Sequence, residues 1–259
     1  MKYKVGLALS GGGVKGAVHA GMIHYFDENG FKPDVICGSS SGAIVGALYA
    51  NGLTGKEIFD FFLNERPFSK SLWAGSRGLI NTPALRELFE KYIPHNRFEA
   101  LQIKLITTAT NMMTGNGETF QAGSLIDKVL ASASFPGVFS PMMINDFLYS
   151  DGGVVNNFPV DIIRNKCHYV IGMYLSPNKE LDISKLSSTK DILARSVDIQ
   201  GSQAEYNKLK QCDIGMCPME LVEYSSFDFD KEKLNALFQL GYNNMKSKAI
   251  ELNKIATSH

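Results

Sequence analysis

The chain has 259 residues, 44% of them hydrophobic and 20% charged, with 24 glycines and with 26 basic and 26 acidic side chains. This is the composition of a soluble globular chain, long enough for one substantial α/β domain or two small ones. A formal charge of zero with no Lys/Arg run gives no electrostatic case for a nucleic-acid partner, and the lack of any run of about 18 apolar residues argues against a transmembrane helix.

The first residues, MKYKVGLALSGGGVKG, imitate a signal peptide only briefly: the apolar core Val5 to Leu9 is too short, and the stretch after it is broken by glycines and Lys15. Lys4 to Ser10 reads instead as a buried strand, followed by a glycine loop and a helix from Ala17 to Asn29 that Gly30 stops. Asp34 to Cys37 is a second short strand. A serine turn comes next, then a helix from Ser41 to Ala50, with Gly52 where a C-terminal glycine stop belongs. Thr54 and Glu57 have capping-box spacing and open a helix over Lys56 to Leu63. Phe68 to Ile80 reads as irregular, and Thr82-Pro83 starts a helix ending near Tyr92.

Ile103 to Thr110 is a strand, and Gly115-Asn116-Gly117 turns the chain back. Leu125 to Ser132 is helical and ends before Pro136-Gly137. A hairpin of MMIN and FLYS leads into Asp151-Gly152-Gly153. Val160 to Asn165 is a short helix and Tyr169 to Leu175 a buried strand. A long helix near Asp191 to Lys210, a strand near Ile214 and a helix from Lys231 complete the chain. Strands alternating with helices predict an α/β fold, a mainly parallel central sheet flanked by helices. Without a linker or internal repeat, residues 1–259 read as one domain, its motifs within 5–175 and a C-terminal helical part over 187–259. The four cysteines, Cys37, Cys167, Cys212 and Cys217, lack CxxC spacing or a clustered histidine, so they read as reduced, mostly buried thiols of a cytoplasmic protein, with no metal and no cofactor.

Two stretches carry chemistry. Gly38-Ser39-Ser40-Ser41-Gly42, between a strand and a helix, has the Gly-x-Ser-x-Gly pattern of a nucleophile elbow, in which the residues two before and two after the serine lie against backbone. Only Ser40 has glycine at both places. The helix behind it directs N–H groups and a positive dipole end at the same point, favouring the negative charge of acyl transfer. The bland alternative is a Ser/Gly loop capping an ordinary helix. Gly11-Gly12-Gly13-Val14-Lys15-Gly16 also satisfies GxGxxG, but dinucleotide binding needs an acid closing the second strand, and Asp34 opens it. No Gly-Lys-Ser/Thr is present in the loop, so it is not a P-loop either. Beside an elbow, the bare amides of Gly11, Gly12 and Gly13 suit an oxyanion hole, in which one donor contributes about 3–4 kcal/mol. Lys15 is a candidate contact for an anionic head group, or else a solvated surface lysine.

The proton needs an acceptor. His19 and His24 lie on the first helix, His95 in a polar turn, and His259 is the last residue. His168 adjoins a strand but precedes it, which puts it at the opposite edge from the elbow. Asp151 follows a strand, and Gly152-Gly153 lets its backbone pack tightly. A carboxylate with an ordinary pKa of about 3.9 is a poor base near neutrality, so burial and a serine hydrogen bond must make it competent. Taken alone, Asp-Gly-Gly also reads as a plain turn.

In this order GGGVKG, GSSSG and DGG, with ASASFPGVFSP (Ala131 to Pro141) and DGGVVNNFPV (Asp151 to Val160), resemble the patatin-like phospholipases. That family includes plant patatins, the catalytic domains of cytosolic phospholipases A, and neuropathy-target-esterase-type lysophospholipases with their bacterial relatives. The resemblance spans residues 5 to about 175 and implies a three-layer sandwich related to the α/β-hydrolases. It implies a hydrolase of (lyso)phospholipid or related acyl esters, with Ser40 as nucleophile, Asp151 as base, Gly11, Gly12 and Gly13 around the oxyanion, and Gly16, Gly38, Gly42, Gly152 and Gly153 in support. It implies a lipid substrate and peripheral contact with a membrane, and leaves the oligomeric state open. Lys15 departs from the family's usual arginine and lacks its bidentate fork. Phe61 to Ile80 reads as a lid or as aromatics packed on the core, and Met112-Met113 and Met142-Met143 as acyl-pocket lining or core filling. The rival readings are an acyltransferase with an acceptor other than water, and a non-catalytic lipid-binding protein with the same fold.

Overall fold

A computed structural model describes residues 1–65, 67, 82–178, 180–188, 192, 195, 199, 202–227 and 229–258. Its strands are β1 (Tyr3–Leu9), β2 (Val35–Gly38), β3 (Lys104–Asn111), β4 (Gly117–Phe120), β5 (Met142–Ile144), β6 (Phe147–Asp151), β7 (Cys167–Met173) and β8 (Ile214–Met216). They form one sheet in the order β5-β6-β3-β2-β1-β7-β8, with β4 paired to β3 off this path. Strands β1, β2, β3, β7 and β8 are parallel, whereas β4 and β6 run antiparallel to β3.

The central strands are apolar runs because both faces are covered. In β1 the side chains of Val5, Leu7 and Leu9 enter one core and Ala8 the other. The first core is closed by helices α1 (Gly16–Glu28), α2 (Ser41–Ala50), α3 (Gly55–Glu65), α4 (Thr82–Tyr92), α5 (Ile126–Ser132), α7 (Lys231–Lys246) and α8 (Ala249–Thr257), and the second by α6 (Val160–Arg164). Helices α1 and α7 cross closely enough that a Cβ on Gly21 would meet the Phe238 carbonyl, and one on Gly241 the Val18 carbonyl.

Local chemistry explains the boundaries. Glu57 Oε2 accepts from the amide and hydroxyl of Thr54, both at 2.8 Å, while the Glu57 amide donates back to the Thr54 hydroxyl at 3.3 Å, so the capping box opens α3. Asp34 Oδ2 accepts from the amides of Lys4 at 3.0 Å and Val5 at 2.8 Å, tying β1 to β2 at the edge away from the serine turn. The helix expected from Lys231 is two helices: the Lys248 amide turns back to Met245 at 2.9 Å, and α8 follows, burying Leu252 and Ile255. Phe61 and Phe62 are buried in α3 and belong to the core rather than to a lid. Phe68 to Ile80 lies outside the described residues, as does much of the helix expected near Asp191 to Lys210, whose end is a 3-10 turn, Lys208–Gln211.

Candidate active site

Ser40 stands between the end of β2 and the start of α2 with φ 52° and ψ −123°, a left-handed conformation costing an L side chain about 1–3 kcal/mol. The surroundings impose it. The Ser39 amide donates to Leu9 at 3.1 Å, the Ser40 amide to the Ser132 hydroxyl at 3.0 Å, and the Ser40 carbonyl accepts from Ala43 at 2.9 Å. A Cβ on Gly38 would meet the Gly42 carbonyl, and one on Gly42 the Leu9 carbonyl, so the glycine spacing is a steric requirement. Ser39 and Ser41 are fully buried while Ser40 is 8% exposed, which makes the middle hydroxyl the accessible one.

Sheet register brings the acid to it. Strand β2 pairs with the first half of β3, ending at Gly38 against Thr107, and β6 descends along the second half, ending at Asp151 against Ala109. The two chain ends therefore meet above the middle of β3. The Asp151 amide donates to Ser134 at 3.0 Å, its carbonyl accepts from Thr110 Oγ1 at 2.8 Å, and Oδ1 accepts from the Gly153 amide at 2.7 Å. A Cβ on Gly152 would meet the hydroxyls of Thr108 and Ser39.

Burial pushes the Asp151 carboxyl up to about 6, against the opposing effects of the Ser40 hydroxyl and the Gly153 amide. The serine is thus close enough to stabilise the carboxylate, yet Oδ2 is buried without a hydrogen bond of full geometry among the described residues. An unpartnered carboxylate oxygen with a raised pKa is the chemistry that a general base requires.

The glycine loop differs from expectation in two ways. The Gly11 amide donates to the Asn157 carbonyl at 3.1 Å, so Gly11 contributes space, its missing Cβ leaving room for Asn157 and Ser40, rather than an oxyanion donor. The amides of Gly12 and Gly13 have no hydrogen-bond partner among the described residues. Gly13 has φ 60°, and a Cβ there would meet the Ser226 carbonyl. Lys15 is buried and its Nζ donates to the Leu221 carbonyl at 3.1 Å; it ties the loop to the turn Met219–Glu223 and is not offered to a head group.

The histidines lie elsewhere. His19 is buried under the loop, donating Nε2–H to the Ser10 carbonyl at 2.9 Å, and burial lowers its pKa to about 4, so it is neutral. His24 faces Glu28, and His168 is exposed near the start of β7, at the far edge of the sheet. Among the described residues no group of three or more His, Cys, Asp or Glu side chains is disposed to hold a metal ion. Three supporting residues escaped sequence reasoning. Ser132, the last residue of α5, holds the Ser40 amide and Ser134, two residues on, holds the Asp151 amide, while Glu205 Oε2 accepts from the Phe158 amide at 2.6 Å, fixing the segment that holds Gly11. Only the family likeness of ASASFPG points toward any of them.

Residues 7–164 match the family described as patatin-like phospholipase. An uncharacterised NTE family protein of Mycobacterium tuberculosis is 30% identical over 160 residues, covering 61% of this chain and 44% of the relative. Lysophospholipase NTE1 of Scheffersomyces stipitis is 28% identical over 180 residues, covering 65% of this chain and 11% of that one. The match thus spans less than half the length of these relatives. Among solved structures, VipD from Legionella pneumophila superposes with a TM-score of 0.53 at 16% identity, covering 95% of this chain and 66% of that chain, a likeness of fold.

Proposed function

Because the chain belongs to the patatin-like phospholipase family, a family of carboxylic ester hydrolases, we propose that it hydrolyses phospholipid or lysophospholipid acyl esters through Ser40 and Asp151. The observation that carries this reading is the pairing of a strained, accessible serine with a buried carboxylate whose Oδ2 has no other full partner.

In the first half-reaction Ser40 Oγ attacks the ester carbonyl carbon while its proton passes to Asp151 Oδ2. The amides of Gly12 and Gly13 receive the oxyanion, and the dipole of α2 adds to the stabilisation. Collapse of the tetrahedral intermediate expels the alcohol, which takes the proton from Asp151. Water then attacks the acyl-enzyme with Asp151 again as base, releasing the fatty acid and restoring the serine. An apolar recess lined by Ile44, Leu85, Phe89, Leu130, Ala133 and Phe139 adjoins Ser134; it has room for about one water molecule, so an acyl chain would enter only as these side chains move apart.

Labelling with a fluorophosphonate probe tests the assignment. The native chain is expected to label, Ser40→Ala not at all, and Asp151→Asn far more slowly. Labelling that persists in Ser40→Ala removes the nucleophile. Fatty-acid release from phosphatidylcholine and from lysophosphatidylcholine, measured side by side, decides the substrate class.

A further inference from the structure

Among the described residues, four segments surround the mouth of the site. Residues 112–117 leave the end of β3, the same edge at which β2 delivers Ser40, and the Met112 amide is bonded to Leu148 at 2.8 Å. Residues 134–147 run from the Ser134 carbonyl that holds Asp151 to the tip of the β5–β6 hairpin. Residues 153–157 run from Asp151 to the Asn157 carbonyl that holds Gly11, with Val155 beside Gly117. Residues 224–227 carry the Ser226 carbonyl that accepts from Val14 at 2.9 Å.

In a chain that is 20% charged, these four segments together contain a single charged residue, Asp146. They also expose large apolar side chains. Met113 and Met143 are 65% and 64% exposed on neighbouring hairpins, and Phe147, on the other face of its hairpin from Met143, is exposed as well. Val154 and Val155 are exposed beside them. Across the mouth, Phe135 and Phe227 join the acid side to the glycine-loop side, with ring centroids 6.0 Å apart. An exposed apolar rim of this kind marks an interaction surface.

We infer that this rim docks the protein on a zwitterionic phospholipid surface, with Met113 and Met143 entering the interface. The inference rests on the acyl-hydrolase reading in that the same rim then delivers a lipid ester to Ser40. Charge selects the occupant. An anionic bilayer recruits proteins through Lys and Arg, and the four segments offer none while placing a carboxylate at one hairpin tip. A neutral interface asks only for apolar side chains and polar backbone, which is what the rim supplies.

Co-sedimentation with phosphatidylcholine vesicles tests this. The native chain and a control, Ile250→Ser on the distant α8, are expected to partition alike, and Met113→Glu/Met143→Glu at least tenfold more weakly. Circular dichroism and thermal unfolding of the double variant report that it is folded. Adding anionic lipid is expected to leave native binding unstrengthened. The inference is overturned if the native chain stays in the supernatant, if it sediments only with anionic vesicles, or if the double variant binds like the native chain. It is equally overturned if the double substitution converts a dimer to a monomer in sedimentation velocity without changing vesicle binding, since the rim would then be a contact between two copies. Vesicle binding is read without turnover and probe labelling without vesicles, so failure of the rim and failure of the catalytic assignment are separate results.

Discussion

The Ser132 hydroxyl accepts the backbone N–H of Ser40 at 3.0 Å, so the strained nucleophile turn is held from a helix more than ninety residues away in the chain. Removing that acceptor leaves a buried amide unpaired, at a cost of about 1–3 kcal/mol. If the cost falls on the reactive geometry, Ser132→Ala lowers kcat by roughly 10- to 100-fold with little change in KM. Steady-state kinetics on a soluble ester checks this; an unchanged kcat would show that the turn holds itself.

On the proposed mechanism Asp151 sets the pH dependence. The base must be ionised, so kcat/KM is expected to rise with pH through an acid limb near 6, the value to which burial pushes the carboxyl. Stability runs the other way. The folded state holds the Asp151 proton more tightly than the unfolded chain, whose carboxyl has a pKa of about 3.9, so this residue's contribution falls as pH rises from about 4 to 6. At neutral pH the ionised, buried group costs the fold about 3 kcal/mol. Asp151→Asn is therefore expected to be inactive and more stable than the native chain by up to that amount. Urea unfolding at pH 7 and pH 4.5 measures it, with the difference shrinking at the lower pH.

The parts legible in the sequence are those that repeat a local rule. Alternating strand and helix patterns, the Thr54–Glu57 capping box, and the glycines flanking Ser40 and following Asp151 all report backbone constraints, which act over a few residues and leave a mark where they act. Relations between distant segments leave no such mark. Gly11 reads as a third amide donor because three bare glycines stand in a row, but its N–H is claimed by Asn157, about 150 residues on. Lys15 reads as a head-group contact because its position matches a family cation, but a turn from the C-terminal part supplies the Leu221 carbonyl that absorbs it. Neither partner has a sequence signature, since a backbone carbonyl is the same atom in every residue.

The segment that engages Gly11 is held by a charge pair. Glu205 bonds the Phe158 amide at 2.6 Å and Lys208 Nζ at 2.9 Å, and Lys208 also reaches Asn156 Oδ1 at 2.8 Å. Burial raises the Glu205 carboxyl, and Lys208 is the first of the groups opposing that rise. Glu205→Ala leaves the Phe158 amide unpaired and Lys208 without its shortest ionic partner, so a loss of roughly 3 kcal/mol is expected in urea unfolding. Glu205→Gln, which can still accept from Phe158, is expected to recover part of that loss. If both variants lose equally, the charge rather than the hydrogen bond holds the segment.

The crossing of α1 on α7 sets a small effect against a larger one. Alanine is the better helix former by about 1 kcal/mol, so Gly241→Ala on an exposed face would stabilise α7. Here the added methyl would meet the Val18 carbonyl, and Gly21 faces the Phe238 carbonyl in the same way, so neither helix can take the extra carbon without moving. Overpacking of this kind costs about 1–3 kcal/mol, and more where the obstacle is backbone rather than a side chain that can rotate. The steric cost should therefore exceed the propensity gain, and Gly241→Ala is expected to lower the thermal midpoint by several degrees. The double variant Gly21→Ala/Gly241→Ala should lose less than the sum of the two single losses, because a helix already displaced by one methyl has made room for the second. Strict additivity would mean that the two glycines relieve separate contacts and that the helices do not shift as a unit.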